Sequence, residues 1–257
     1  MNDLTIASTV AIAKELYADT PRMTALKQTL RPRIAPIHTL TALVPPESSV
    51  LDVGCGAGLF TALLAKLGRI RTAVAFDSDA PAIAQAQRIA ARLPQPATIH
   101  YETRTAFDPW PEGQFDVVSI IDVMHHITPA AQADVITEAA RHVKAGGILL
   151  YKDMAHQPCW RAWANRLHDL ISARERIHYA PLEKVITWAH TAGLHLEQRG
   201  AINMYWYAHQ WCVFRADGRP VTAPHHQPEP SAPLRTAGCL DGRVSDVRRF
   251  ALLGQRC

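Results

Sequence analysis

The chain has no run of about 18 apolar residues, so no segment reads as a membrane-crossing helix and no membrane partner is expected. Its first residues carry Asp3 and lack the basic-then-apolar pattern of a secretory leader. Cysteine is sparse. The five, at positions 55, 159, 212, 239 and 257, show neither the paired spacing of a metal site nor the density of a disulfide scaffold. An odd number of thiols in a chain of 257 residues suits a reducing compartment, and the cytoplasm is the expected location. Charge of one sign is equally thin: the net +4 divides into +2 through Arg215 and +2 beyond it. With no dense basic run, nothing in this balance calls for a nucleic-acid partner.

What is present is apolar and periodic. Hydrophobic residues make up 48%, enough for one substantial core. Residues 8–44 read as helical, with Pro21 dividing a first helix near residues 11–17 from a second that holds Met23, Leu26, Leu30 and Ile34. Pro32 and Pro36 are expected to kink or break that second helix. Residues 1–44 then form either a packing pair or a helical lid over a crevice. Their apolar face would also make a homodimer unsurprising.

From residue 45 strands and helices alternate. Strands are expected at 49–53, 72–77, 97–102, 115–121 and 148–152, with two late ones at 194–200 and 205–214. Helices fall at 59–67, 80–93, 129–143 (capped by Thr128), 159–173 and 181–191. The strand at 115–121 is apolar at nearly every position, as a sheet covered on both faces requires. The expected fold is α/β: a doubly wound, seven-stranded, mostly parallel Rossmann-like sheet with an antiparallel last strand, over residues 45–215. Beyond it, prolines at 224, 228, 230 and 233 exclude a helix or central strand, so residues 216–257 read as a Pro-rich linker and tail.

The chemistry concentrates at Leu51-Asp52-Val53-Gly54-Cys55-Gly56-Ala57-Gly58 and at Val74-Ala75-Phe76-Asp77. The first stretch is a strand running into a glycine-rich turn that lets a ligand approach the backbone. The second ends in a carboxylate that can accept both hydroxyls of a ribose. Asp79 is placed to cap the following helix. Asp52, just before the turn, would repel a pyrophosphate and attract an ammonium, which tilts the choice away from a dinucleotide.

In this order the motifs resemble those of class I S-adenosylmethionine-dependent methyltransferases. The resemblance takes in the glycine motif, the acid at 77, and Phe115-Asp116-Val117-Val118 leading to Val123-Met124-His125-His126-Ile127. It continues through His142-Val143-Lys144-Ala145-Gly146-Gly147-Ile148-Leu149-Leu150. It covers about residues 45–153 by motif and reaches about 215 by element order. It implies S-adenosyl-L-methionine as cofactor, with Asp52, Gly54, Cys55 and Gly56 along the methionyl portion. Asp77 would bind the ribose with Ser78 beside the adenine, and Ile121 and Asp122 would approach the sulfonium end. Two positions depart from the family pattern. Thr103-Arg104 stands where many members have Gly-Asp, and an arginine cannot accept from the adenine amine, which leaves Glu102 or a backbone carbonyl for that contact. Ala75 replaces a common glycine.

A hydroxyl or amine acceptor must lose a proton, and His125, His126, Asp122 and His156 are candidate bases, with His126 and Asp122 preferred. Asp153 and His156 find no third ligand at a convincing spacing, so no metal is expected. Trp160, Trp163, Leu167 and Leu170 share helical spacing and read as a packed apolar face or as a wall for a ring-shaped substrate. Tyr17, Met23, His156 and Trp160 are the expected substrate contacts.

The expected activity is methyl transfer from S-adenosylmethionine to a small organic acceptor, aromatic or a biosynthetic intermediate. No Asn/Asp-Pro-Pro-Tyr/Phe follows the fourth strand, where Ile121-Asp122-Val123-Met124 stands. Methylation of RNA or protein stays open, because Arg22, Lys27, Arg31 and Arg33 could form a patch in space. A non-catalytic nucleoside-binding partner subunit also stays open. A nicotinamide-linked oxidoreductase on a similar sheet is opposed by Asp52.

Overall fold

The computed structural model describes residues 4–93, 97–155, 178–205 and 207–217. These lie in a compact unit, Met1–Val221; a second unit, Thr222–Cys257, holds most of the expected tail and falls outside the described residues. The helix expected over residues 159–173 also lies outside them.

Three helices precede the sheet: α1 (Ile6–Leu16), α2 (Arg22–Ile34) and α3 (Ile37–Leu43). Helix α1 begins a turn earlier than the apolar pattern suggests because Thr5 and Ser8 form a reciprocal capping box. The Ser8 amide donates to Thr5 Oγ1 at 3.1 Å and the Thr5 amide to Ser8 Oγ at 2.9 Å. Helix α2 runs through Pro32, which sits in its last turn, and ends at Ala35, where the backbone turns extended. The Ile34 carbonyl at that end is an orphan of helix geometry and accepts from His209 Nε2 at 2.6 Å.

The αβ alternation follows as β1 (Ser48–Val53), α4 (Leu59–Lys66), β2 (Ile70–Asp77), α5 (Ala80–Ala90), β3 (Thr98–Thr103) and β4 (Phe115–Ile121). A single 3-10 turn (Met124–His126), α6 (Gln132–Arg141), β5 (Val143–Met154), α7 (Leu182–Thr191), β6 (Leu194–Met204) and β7 (Tyr207–Ala216) complete it. The strands form one seven-stranded sheet in the order β3-β2-β1-β4-β5-β7-β6. Strands β1 to β5 pair in parallel, and β7 runs antiparallel to both its neighbours, as expected. Thr128 does not cap α6. The Ala131 amide bonds to the Thr128 carbonyl at 2.9 Å, so residues 128–131 make a turn and the helix begins at Gln132. Strand β5 is longer than expected because it takes in Gly146 and Gly147, with a register shift against β4.

Successive residues of each central strand enter opposite layers. Leu51, Val118, Leu149 and Phe214 pack with α6 and α7, while Val50, Val117, Leu150 and Val213 pack with α3 and α4. Burying both faces leaves the carboxyl ends of β1, β2, β4 and β5 as the place where polar side chains gather. Among the described residues no helix is long and apolar enough to cross a membrane.

Candidate active site

The turn after β1 needs glycine for two different reasons. At Gly54, φ is +70° and a Cβ would sit 2.3 Å from Val123 Cγ2. At Gly58, φ is +80° and a Cβ would lie 2.7 Å from the Tyr101 hydroxyl, which is bonded to Thr61 at 2.7 Å, so the start of α4 packs directly on β3. The Gly54 and Cys55 amides both donate to the Phe76 carbonyl, at 2.8 and 3.1 Å, and tie the turn to the end of β2. There Asp77 accepts from the Gly56 amide at 2.7 Å and from the Asp79 amide at 2.9 Å, one on each oxygen. Each oxygen keeps a lone pair for a hydroxyl donor. Asp79 caps α5 through the Ala82 amide, and Ser78 between them is exposed. Burial pushes the Cys55 thiol well above its usual range, which removes it as a nucleophile.

Asp52 ends up 3% exposed. Its Oδ1 accepts from the Ser119 hydroxyl at 2.6 Å, while its Oδ2 has no partner among the described residues. Burial raises this carboxyl to about 7, against the Ser119 hydrogen bond and the Arg31 charge, which pull the other way. A buried, unsatisfied carboxylate oxygen calls for a cation with N–H groups, and the ammonium of an aminoacyl ligand meets that need. The narrow crevice beside it is lined from the sheet by Asp52, Gly54, Cys55 and Ile121, and from α2 by Gln28 and Arg31. Of the residues expected along the methionyl portion of S-adenosylmethionine, Asp52, Gly54 and Cys55 line this crevice, and their chemistry fits that group; Gly56 turns its amide to Asp77 instead.

One strand over, the ends of β4 and β5 carry a second polar cluster. Asp122 follows β4 with φ +59°, a strained setting for a non-glycine residue. Its carboxylate is gripped by Lys152 Nζ, fully buried on β5, and by Arg31 Nη2 at 3.3 Å from α2. Burial works to raise the Asp122 carboxyl, but Lys152 and then Arg31 override it and hold it well below the usual range. A carboxylate so held is a poor proton acceptor, which corrects the preference for Asp122 as base.

His125 is 5% exposed and meets Asp153 through ring and backbone. Its Nδ1 lies 2.6 Å from Asp153 Oδ1, and its amide donates to Oδ2 at 3.1 Å. Burial opposes the charged imidazole, yet the Asp153 charge and hydrogen bond prevail and the His125 pKa is raised. His126, the other preferred base, is exposed, its ring tilted against that of His125 with centroids 4.1 Å apart. Gln132 fixes the turn from behind, its Nε2 reaching the carbonyls of Met124, Ile127 and His178 at 3.1, 3.2 and 2.9 Å. Ligand atoms of Asp122, His125 and Asp153 all lie within 4.8 Å of one another. Lys152 and Arg31 already hold Asp122, and the His125 ring and two backbone amides already hold Asp153.

The expected substrate contacts fare differently. Tyr17 is wholly buried among Ala13, Ala57, Leu59 and Ile89, and its hydroxyl donates to the Ala57 carbonyl at 2.7 Å. It holds α1 against the glycine turn and has no surface left for a substrate. Met23 is 76% exposed on α2 and does not line the crevice. His156 and Trp160 lie outside the described residues. Arg104 folds back onto Glu102, with Nε and Nη2 at 3.1 and 2.5 Å from one carboxylate oxygen.

Sequence reasoning missed the roles of Ser119 and Lys152 in these clusters, and weighed Asp153 only as a metal ligand with His156, not as the partner of His125. The available signal was a polar residue inside an otherwise apolar central strand, which must find a partner when buried.

Residues 50–147 match the family model described as a methyltransferase domain. The chain is 30% identical over 148 residues to an uncharacterised methyltransferase of Synechocystis sp., covering 58% of this chain and 66% of that one. It is 30% identical over 164 residues to a ubiquinone biosynthesis O-methyltransferase of Xanthomonas axonopodis pv. citri, covering 60% of this chain and 66% of the relative. The chain thus spans just under two thirds of either relative's length. Among solved structures it is similar to a magnesium protoporphyrin IX methyltransferase from Synechocystis with S-adenosylhomocysteine bound. The TM-score is 0.60 at 16% identity, over 82% of this chain and 95% of the other. It is also similar to an N-methyltransferase from Bradyrhizobium japonicum, with TM-score 0.56 at 22% identity, over 73% and 96%. At those identities the two structures speak for the fold alone. Motif order, strand order and the matched domain agree: over residues 50–147 the chain is similar to a methyltransferase domain, set in the seven-stranded sheet of that fold.

Proposed function

We propose that this chain transfers a methyl group from S-adenosylmethionine to a small organic acceptor, and that the acceptor atom is a hydroxyl oxygen deprotonated by His125. When bound, the cofactor supplies a methyl already activated by its sulfonium, so the protein's task is to orient and to move one proton. Asp52 would hold the ammonium through its unpartnered Oδ2, the backbone at Gly54 to Gly56 would flank the methionyl chain, and Asp77 with Ser78 would take the nucleoside. The observation that carries the reading is the vacant hydrogen-bonding capacity of buried Asp52 beside the glycine turn.

On the acceptor side, Asp153 fixes the orientation of the His125 ring and stabilises its charged form, as a base that gains a proton requires. Asp122 stays ionised in the grip of Lys152 and Arg31 and serves as a fixed counter-charge within 4.8 Å of the His125 ring. An oxygen acceptor is favoured because the Xanthomonas relative is an O-methyltransferase. A cytosolic location and a lid role for α1 to α3 belong to the same proposal.

Calorimetric titration of the full chain with S-adenosylmethionine, S-adenosylhomocysteine and NAD tests it. Micromolar binding of both sulfur nucleosides is expected, weakened about a hundredfold in Asp77→Ala, followed by turnover of a phenolic acceptor. Binding of NAD alone would overturn the reading.

A further inference from the structure

Helix α2 has two unlike faces. Inward, Gln28 and Arg31 line the crevice and Pro32 is buried. Outward, Met23, Leu26 and Leu30 are 76%, 52% and 42% exposed. At about 100° per residue these three side chains fall within about 60° of arc. Arg22 and Arg33 flank that apolar ridge on one side and Lys27 on the other, all three exposed. No acidic residue occurs anywhere in α2, and the nearest acids before it are engaged elsewhere, Glu15 with Lys66 and Asp19 with Arg92.

We infer that the outer face of α2 docks on an anionic phospholipid surface. An apolar ridge bordered on both sides by long cationic side chains is the pattern of a helix lying in the plane of a bilayer interface. The ridge enters the acyl boundary, and the cations reach the headgroup phosphates. Charge decides against the other occupants. Two copies joined through this face about a two-fold axis would set Arg22, Lys27 and Arg33 against the same cations. A nucleic acid would use the cations but leave the ridge in water. The docked helix would set the crevice one helix away from the lipid surface, so the acceptor would be an amphiphile taken from it; that last clause rests on the proposed methyl transfer.

The test is co-sedimentation of the full chain with vesicles of phosphatidylcholine alone and of phosphatidylcholine mixed with phosphatidylglycerol. Two variants accompany it, Leu26→Asp/Leu30→Asp and Arg22→Gln/Lys27→Gln/Arg33→Gln. The expected result is salt-sensitive binding to the mixed vesicles, at least about tenfold weaker on phosphatidylcholine and lost by a similar factor in each variant. All substituted side chains are exposed, and unchanged affinity for S-adenosylhomocysteine would show that the variants are folded. No binding to the mixed vesicles, or binding that either variant retains, overturns the inference. So does a dimer in sedimentation velocity that Leu26→Asp/Leu30→Asp dissolves, since the occupant is then a second copy. Vesicle binding without affinity for S-adenosylhomocysteine would remove the proposed reaction and leave the docking surface standing.

Discussion

At the ends of β1 and β2, polar groups are satisfied within a short stretch of chain. The Gly56 and Asp79 amides close on Asp77, and the Gly54 and Cys55 amides close on Phe76. At the ends of β4 and β5 the same need is met by side chains from distant elements. Arg31 reaches Asp122 across 91 residues, and Lys152 does so from the neighbouring strand. The setting of Asp77 is built from backbone donors and that of Asp122 from buried charges. Backbone donors are tolerant of sequence and fixed in place by the fold. Buried charges are specific, and each one removed strands its partner.

The sharpest way to break the contrast is Lys152→Ala. It leaves Asp122 with Arg31 alone, and urea unfolding is expected to show a loss of about 3–5 kcal/mol. Adding Asp122→Asn should recover a good part of it; if the double variant is no better than the single, the pair is not coupled. Asp153→Asn comes next. It is expected to lower kcat by about a hundredfold or more and to shift the alkaline-rising limb of the rate profile to lower pH. The sign follows from His125, whose raised pKa depends on Asp153: the base works when neutral, and a smaller upward shift frees it at lower pH. An unmoved limb would remove His125 from the reaction.

Beside the glycine turn, Asp52 gives a smaller, pH-dependent effect. Its folded carboxyl sits near 7 and its ordinary value is 3.8, so ionising it costs the free protein stability as pH rises between those values. An ammonium ligand favours the ionised form. Binding of S-adenosylhomocysteine should therefore release a proton below about pH 7, with affinity climbing up to about tenfold per unit and levelling above. Titration at pH 6 in buffers of different ionisation enthalpy checks the proton count. The smallest effect is expected from Tyr17→Phe, which deletes one buried hydrogen bond to the Ala57 carbonyl and should cost about 1–2 kcal/mol by thermal unfolding.

The same contrast governs what could be read in advance. The glycine turn is contiguous, Asp77 and the Asp79 cap follow about twenty residues on, and their geometry follows from residue type and spacing alone. The sheet was legible because β4 and β5 are apolar runs bounded by turn residues. Thr128 misled because a turn residue before a proline suits a turn as well as a cap. Asp122 misled for a deeper reason: whether a carboxylate acts as a base depends on what faces it, and Arg31 and Lys152 come from elements with no sequence tie to it. Tyr17 reads as a substrate contact only until Ala57 claims its hydroxyl.

The bond between His209 and the Ile34 carbonyl spans 175 residues, from the last strand of the sheet to the end of α2. Burial, and then the Lys152 charge, hold that histidine near 4, so at neutral pH it is an uncharged donor to a carbonyl. A ribosome makes α2 early and β7 last. Through most of synthesis the end of this helix lacks its bond to His209, and loop closure across so long a separation comes late in folding. The crevice therefore acquires that tether of its wall only after β7 has paired. A fragment ending before β7 would carry the whole glycine motif, yet lack this tether over the place where it binds.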